Sequence, residues 1–269
     1  NCNLTQLGGG KVIEINRIYN TDCLGTEGMI LIPDGSIDMI LADLPYGTTE
    51  NKWDSILPLD KVWEQYCRVI KENGAILLFA QSPFDKVLGA SNLKMLRYEW
   101  IWEKNQATGF LNAKKAPMKA HENILVFYKK LPTYNPQKTK GHKPVNSYKK
   151  HSSDGSNYGK TQIGTEGGGQ TDRYPRSVLR FDKETEHYHP TQKPVKLLEY
   201  LIRTYTNIGQ TVLDNTIGSG STAVAAINEG RNFIGFETEK KYCNIALKRI
   251  DDAYLEKKQM SFEDLSIAR

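Results

Sequence analysis

Apolar positions along the chain fall into short runs separated by polar turns. Residues 11–20 (KVIEINRIYN) alternate apolar and polar, which predicts a strand or short hairpin. Residues 36–43 (SIDMILAD) and 75–81 (AILLFAQ) are compact apolar runs, the pattern of strands buried on both faces. Between them, residues 59–72 put Leu59, Val62, Trp63, Tyr66, Val69 and Ile70 on one helical face, with Asn73-Gly74 as the stop. Residues 98–103 alternate strictly and 122–129 form another apolar strand. After Pro190 a helix is predicted with Val195, Leu198, Leu201, Ile202 and Tyr205 inward, Pro194 in its first turn and Gly209 beyond its end. Then come a strand at 211–214, a Gly-rich loop, the helix TAVAAINE, a strand at 232–237 and an amphipathic helix over 239–258. Strand–helix–strand alternation predicts an α/β fold on a parallel sheet. Residues 131–185 break the pattern with Gly, Lys, Ser, Thr, Gln and Tyr, including GTEGGGQT at 164–171, and read as an insert between two halves of one domain.

The chain has 269 residues, 39% hydrophobic and 25% charged, enough for a sizeable core. No stretch approaches the roughly 20 apolar residues of a membrane span. Cys2, Cys23, Cys67 and Cys243 are far apart and form no Cys-x-x-Cys pair, which argues against a zinc ribbon and for a reducing, cytoplasmic compartment. His187 and His189 have metal-like spacing, but no acid or cysteine is placed to complete a site, so no metal is expected.

The net charge of +5 is unevenly spread. Residues 104–183 carry 13 Lys and 3 Arg against 5 acids, a net +11, which leaves −6 for the remainder. A solvated basic loop would have the same charge, but Tyr134, Tyr148, Tyr158, Tyr174 and Phe181 interleaved with the cations suit a nucleic acid better. Lys138, Lys140, Lys143, Lys149, Lys150, Arg173, Arg176 and Arg180 are candidate phosphate contacts.

The strand TVLD, the loop NTIGSGS and the following helix form one βα unit. Gly218 and Gly220 let a ligand approach the backbone, and the helix start offers free N–H donors. Glu237 ends the next strand, 17 residues after Gly220, near the spacing at which an acid accepts ribose hydroxyls. The unit points to a nucleoside cofactor. The missing Gly-Lys-Ser/Thr and missing third glycine disfavour ATP and NAD.

Asp43, Leu44, Pro45 and Tyr46 stand at the C-terminal end of a predicted buried strand, the edge where open α/β sheets bind ligands. Pro45 holds Leu44 extended and so aims its carbonyl. A carboxylate and a fixed carbonyl can each accept one N–H of an exocyclic amine, while the ring stacks on the attached base. Two such acceptors stabilise the positive charge that develops when the amine attacks a methyl group.

In these motifs the chain resembles the S-adenosylmethionine-dependent DNA amino-methyltransferases of the permuted beta group. Asp43-Leu44-Pro45-Tyr46 is similar to their catalytic tetrapeptide, DNTIGSGST at 214–222 to their cofactor loop, HPTQKP at 189–194 to a third signature and NTDCL at 20–24 to a short acidic element. Leu44 stands where the family usually has a first proline, and Asn215-Thr216 where it has Pro-Phe. The resemblance implies a mostly parallel Rossmann-like sheet with helices on both faces and an inserted, loop-rich target-recognition region. It implies a catalytic half at 1–130, a basic recognition insert at 131–185 and a cofactor half at 186–269. Asp43 and the Leu44 carbonyl would hold the target amine, with Pro45 as the brace and Tyr46 stacked on a flipped base. Asp214, Asn215, Thr216, Gly218, Ser219, Gly220, Ser221 and Thr222 would wrap the methionine part of S-adenosyl-L-methionine, and Glu237 its ribose. Asp22 and Cys23 would meet its adenine, and His189, Thr191, Gln192 and Lys193 its carboxylate. The implied activity is N6-methylation of adenine in double-stranded DNA, with N4-methylation of cytosine as the alternative and a non-catalytic DNA-binding protein of the same fold as the rival. A homodimer and a cognate restriction endonuclease are the further partners the resemblance raises.

Overall fold

A computed structural model describes residues 5–7, 10–46, 57–149, 166–184, 186, 188–189 and 191–267. Lys150, Tyr158, His187, Pro190 and the start of GTEGGGQT lie outside the described residues.

Eight strands form the main sheet: β1 Arg17–Tyr19, β2 Ile37–Ala42, β3 Ile70–Ala80, β4 Leu96–Thr108, β5 Lys119–Phe127, β6 Val178–Arg180, β7 Thr211–Asp214 and β8 Asn232–Phe236. Their order is β6-β4-β5-β3-β2-β7-β8-β1. β5 runs antiparallel to both its neighbours, and every other pairing is parallel. A small antiparallel pair, Thr5–Leu7 with Gly10–Val12, stands apart, so the alternation at 11–20 resolves into one strand of this pair and β1.

Five helices complete the frame: α1 Leu59–Val69, α2 Phe84–Ser91, α3 Val195–Tyr205, α4 Ser221–Asn228 and α5 Lys240–Ile267. The two-residue period of the strands sorts the core. Met39, Leu41, Leu77 and Phe79 join Leu198, Ile202, Ala226 and Ala246 of α3, α4 and α5. Ile40, Ala42, Ile76 and Leu78 join Val62, Tyr66 and Leu88 of α1 and α2. Both faces of the sheet are therefore covered, which is why β2 is buried along its whole length and, Asp38 aside, apolar.

Several boundaries differ from the sequence expectation: α5 runs to Ile267 rather than to 258, and the strand expected at 98–103 spans Leu96–Thr108. α1 ends at Val69 rather than at 72, because Ile70 turns extended and begins β3. Ile70 pairs with Ile37 but Ala75 with Met39, so the intervening residues bulge. Gly74 occupies the tight point, where a Cβ would lie 2.8 Å from the Asp38 carbonyl oxygen. α3 ends at Tyr205, four residues before Gly209, since Thr206 is extended and its hydroxyl bonds back to the Ile202 carbonyl. The loop-rich insert is shorter than 131–185. Residues 1–135 and 177–269 form one compact unit and 136–176 another. Asn135 donates to the carbonyls of Arg203 and Thr206 at 3.1 Å, and β6 pairs with β4, so both flanks belong to the main unit.

Within the unit 136–176, Tyr148–Lys149 pairs with Glu166–Gly167, and Thr139 bridges Arg173.

Candidate active site

The C-terminal ends of β1, β2, β7 and β8 converge on a cavity of about 370 Å³, a volume usual for small-molecule sites. Its walls include Asp43, Leu44, Pro45 and Tyr46 after β2, Asp22 and Cys23 after β1, and Glu237 after β8. His189, Thr191, Gln192 and Lys193 reach it from the turn before α3. Asp214 at the end of β7, Asn215, Thr216, Gly218 and Ser219 of the loop after it, and Ser221 and Thr222 at the start of α4 complete the lining. Gly220 is the exception. Its φ is +85°, and a Cβ there would lie 2.8 Å from that of Ala246, so it serves the packing of α4 on α5 and not the cavity wall.

At the corner, the Tyr46 hydroxyl donates to Asp43 Oδ1 at 2.5 Å, and its ring packs against Phe84 at 5.1 Å. Lys193 lines the cavity with its neighbours and also reaches the corner. Its ammonium is bound to Asp43 Oδ2 and lies 3.3 Å from Glu122 Oε2. Lys104 Nζ sits 2.6 Å from Glu122 Oε1, and Gln81 Nε2 donates to the same oxygen at 2.8 Å. Two carboxylates and two ammonium groups thus neutralise each other in a nearly dry cluster. Burial pushes the Asp43 carboxyl up, Lys193 opposes this, and Glu122 adds to the rise. Burial acts on Glu122 in the same sense, but Lys193 and Lys104 outweigh it and hold that carboxyl at about 2. Lys193 loses hydration too, yet its two carboxylate neighbours raise its pKa and keep it charged.

The Gly-rich loop is fastened to this corner. Thr216 Oγ1 donates to the Asp43 carbonyl at 3.0 Å. Asp214 accepts the Thr222 hydroxyl at 2.6 Å and the Thr216 N–H at 3.0 Å. Burial nevertheless lifts Asp214 to about 7. Asn215 accepts the buried Tyr66 hydroxyl from α1 and donates to Cys23 Sγ. Burial drives the Cys23 thiol up to about 11. The pair Asn215-Thr216, where the resembled family has Pro-Phe, therefore carries the hydrogen bonds that tie loop, corner and α1 together. Glu237 accepts the Glu239 N–H at 2.7 Å, and burial raises its carboxyl.

In the turn before α3, His189 Nδ1 accepts from the Thr191 N–H and lies 3.0 Å from the Thr191 hydroxyl. Tyr242 of α5 meets its ring edge-on at 4.2 Å. Burial and the neighbouring Lys193 charge push its pKa down to about 4, so His189 is neutral at pH 7. Gln192 holds Glu184 and the Tyr188 N–H, and Glu184 accepts the Val195 N–H at the start of α3. Gln192 thus braces the turn as well as lining the cavity. Arg249 of α5 donates to the Ser219 carbonyl and Ser221 hydroxyl, with its guanidinium 4.7 Å above the Tyr188 ring.

Glu122, Lys104, Gln81, Arg249, Tyr66 and Tyr242 had no motif to reveal them. They come from β4, β5, the residue after β3, α1 and α5, and only the pairing of β4 with β5 puts Lys104 beside Glu122.

The basic candidates divide. Arg173 donates to the carbonyls of Gln170, Asp172 and Lys143, Lys138 pairs with Asp172 at 2.9 Å, and Lys149 pairs with Glu166 at 2.6 Å. Arg180 pairs with Glu103 across β6 and β4. Lys140, Lys143 and Arg176 are exposed, and among the described residues their side chains meet no partner. These three project into solvent, while Arg173 shapes the insert.

Comparison with known proteins finds DNA methyltransferases. The DNA adenine methyltransferase YhdJ of Escherichia coli (strain K12) is 29% identical over 272 residues, 94% of this chain and 87% of its own. The Type II methyltransferase M.BglII of Bacillus subtilis is 31% identical over 258 residues, 86% of this chain and 68% of its own. Among solved structures, the cytosine-N4-specific PvuII DNA methyltransferase superposes with a TM-score of 0.63 at 16% identity, over 90% of this chain and 92% of its own. The M1.HpyAVI–SAM complex does so with a TM-score of 0.58 at 23% identity, over 87% and 98%. Both share the fold. Residues 37–248, which run from β2 through the insert to α5 and carry the corner, the turn before α3 and the Gly-rich loop, match the DNA methylase family profile; the chain belongs to that family.

Proposed function

We infer that the protein transfers a methyl group from S-adenosylmethionine to the N6 amino group of adenine in double-stranded DNA. The observation that carries this reading is the Thr216–Asp43 hydrogen bond, which joins a nucleoside-type loop and an amine-accepting corner inside one cavity. The relative named DNA adenine methyltransferase and the neighbour solved with SAM support it. The residues present fit the cofactor. Glu237 stands at the strand end for ribose hydroxyls, Cys23, Ile217 and Phe236 provide apolar wall, and Asp214 with its two donors anchors the loop around the amino-acid end. When bound, S-adenosylmethionine supplies an activated methyl group on a sulfonium.

The chain's own groups act on the other reactant. The flipped adenine enters at a cost of a few kcal/mol for unstacking. Asp43 and the Leu44 carbonyl each accept a hydrogen bond from one of its two amino N–H groups, and the charge developing on nitrogen is met by a carboxylate already in place. For that, Lys193 must release Asp43, and Glu122 Oε2, which accepts no hydrogen bond in the structure, stands ready to take the ammonium. Tyr46 keeps Asp43 oriented and offers its ring to the base. Lys140, Lys143 and Arg176 bear on phosphates from the recognition insert. Relatives named Type II methyltransferases favour a companion restriction endonuclease and a prokaryotic or phage cytoplasm as the place of action. No described helix is long and apolar enough to cross a membrane.

The test is nucleoside mass spectrometry on unmethylated DNA incubated with methyl-labelled S-adenosylmethionine. Label in N6-methyladenine is the expected result. Label in N4-methylcytosine would overturn the base assignment, and no label would overturn the activity. Asp43→Ala should abolish transfer while leaving cofactor binding within about threefold by calorimetry.

A further inference from the structure

β4 and β5 continue beyond the sheet as a hairpin whose base sits in the active site. Glu122 and Lys104, at that base, belong to the cluster that holds Lys193 against Asp43. The strands still pair at Thr108 and Lys119, three residues and about 10 Å further out along β5. The tip is ordered: Asn112, Ala113, Lys115 and Ala116 donate backbone hydrogen bonds to Gly109, Phe110 and Asn112 at 2.8–3.0 Å. It nevertheless presents apolar side chains to water. Leu111 is 98% exposed, Phe110 77% and Met118 39%. Single exposed apolar residues are ordinary, but three at one ordered tip mark a contact surface. Lys114, Lys115 and Lys119 surround them, all exposed, and no Asp or Glu occurs between Lys104 and His121. The combination is specific: cations for phosphates, apolar side chains with no acid near them, and a stem anchored beside the carboxylate that must receive an extruded base.

We propose that this hairpin tip is a DNA wedge. Phe110 and Leu111 enter the base stack next to the target nucleotide as it leaves the duplex, and Lys114, Lys115 and Lys119 hold the flanking phosphates. Apolar side chains inserted between base steps are a general means of unstacking a duplex, and filling the vacated place removes the main reason for the base to return. The wedge is separate from the basic insert at 136–176 and rests on the DNA methylation reading above.

The experiment compares methyl incorporation into unmethylated phage DNA as native duplex and as the same DNA heat-denatured, for wild type, Phe110→Ser/Leu111→Ser and Lys114→Glu/Lys115→Glu. Wild-type incorporation into neither form would overturn the methylation reading itself. With active wild type, the apolar double variant should lose at least tenfold on duplex and no more than about twofold on denatured DNA, where no stack must be opened. Its duplex affinity by fluorescence anisotropy should keep the wild-type salt dependence. The lysine variant should flatten the log Kd against log [salt] slope by up to about 2. Equal loss on both DNA forms, or none on either, would overturn the wedge. So would an apolar variant that converts a dimer to a monomer in sedimentation while methylating duplex normally, since the tip would then be a subunit contact.

Discussion

The charge cluster at the corner makes Lys193→Met the most informative single change. Lys193 stands between two carboxylates, 3.3 Å from Glu122 and in contact with Asp43, with Lys104 as the second cation. Each such pair is worth about 5 kcal/mol of Coulomb attraction at an effective dielectric constant of 20, before desolvation is counted. Breaking a buried pair by removing one partner costs about 3–5 kcal/mol net. After the change, two carboxylates share one ammonium. Glu122 keeps Lys104, so the imbalance falls on Asp43, whose carboxyl burial already pushes up. Transfer needs Asp43 as the anion, so the sign is fixed: the variant should be slower than wild type near pH 7 and should regain rate as pH rises toward 9. The assay is initial methyl incorporation from pH 6 to 9 at saturating DNA and cofactor. Lys193→Met/Glu122→Gln, which removes one charge of each sign, should be faster at pH 7 than Lys193→Met alone. A Lys193→Met protein with the wild-type rate, or one depressed equally at every pH, would refute the electrostatic argument.

Burial holds Asp214 at about 7, so the folded chain keeps a proton that the unfolded chain releases near pH 4. This group's contribution to stability therefore falls as pH rises from about 4 to about 7 and then levels; thermal midpoints of Asp214→Asn minus wild type should rise over that interval, and a flat difference would contradict it. Gly220→Ala puts a methyl group 2.8 Å from Ala246 at a φ of +85°, so it should cost about 1–3 kcal/mol in urea unfolding, whereas Gly169→Ala, where no atom lies within 4 Å, should cost less despite its positive φ. Thr216→Val cuts the bond between cofactor loop and corner, and should slow methyl transfer more than it weakens cofactor binding, read as separate rate and calorimetric measurements. Cys23, held at about 11, should resist thiol reagents at pH 8 until the protein is denatured.

Much of the molecule is written locally in its residues. Runs such as SIDMILAD and TVLD have apolar residues on both strand faces because both faces of the sheet are covered, so they announce buried parallel strands. The corner, the Gly-rich loop and the turn before α3 are each contiguous, and backbone chemistry at Pro45 and Gly218 leaves a trace that can be read without a fold. The short helix α2 and the bulge at 70–74 left no such trace, because helical period and strand alternation both fail over so few residues. Tertiary structure alone decided which charges meet. Lys193 lies 150 positions from Asp43 and 71 from Glu122, and its place between them depends on strand order in the sheet and on where α3 begins. It also decided that Gly220 packs a helix, that Arg173 shapes the insert and that the β4–β5 tip stands in water. Periodicity reports how a segment meets its nearest layer. A buried ion pair is set by distances between segments, and no local pattern encodes them.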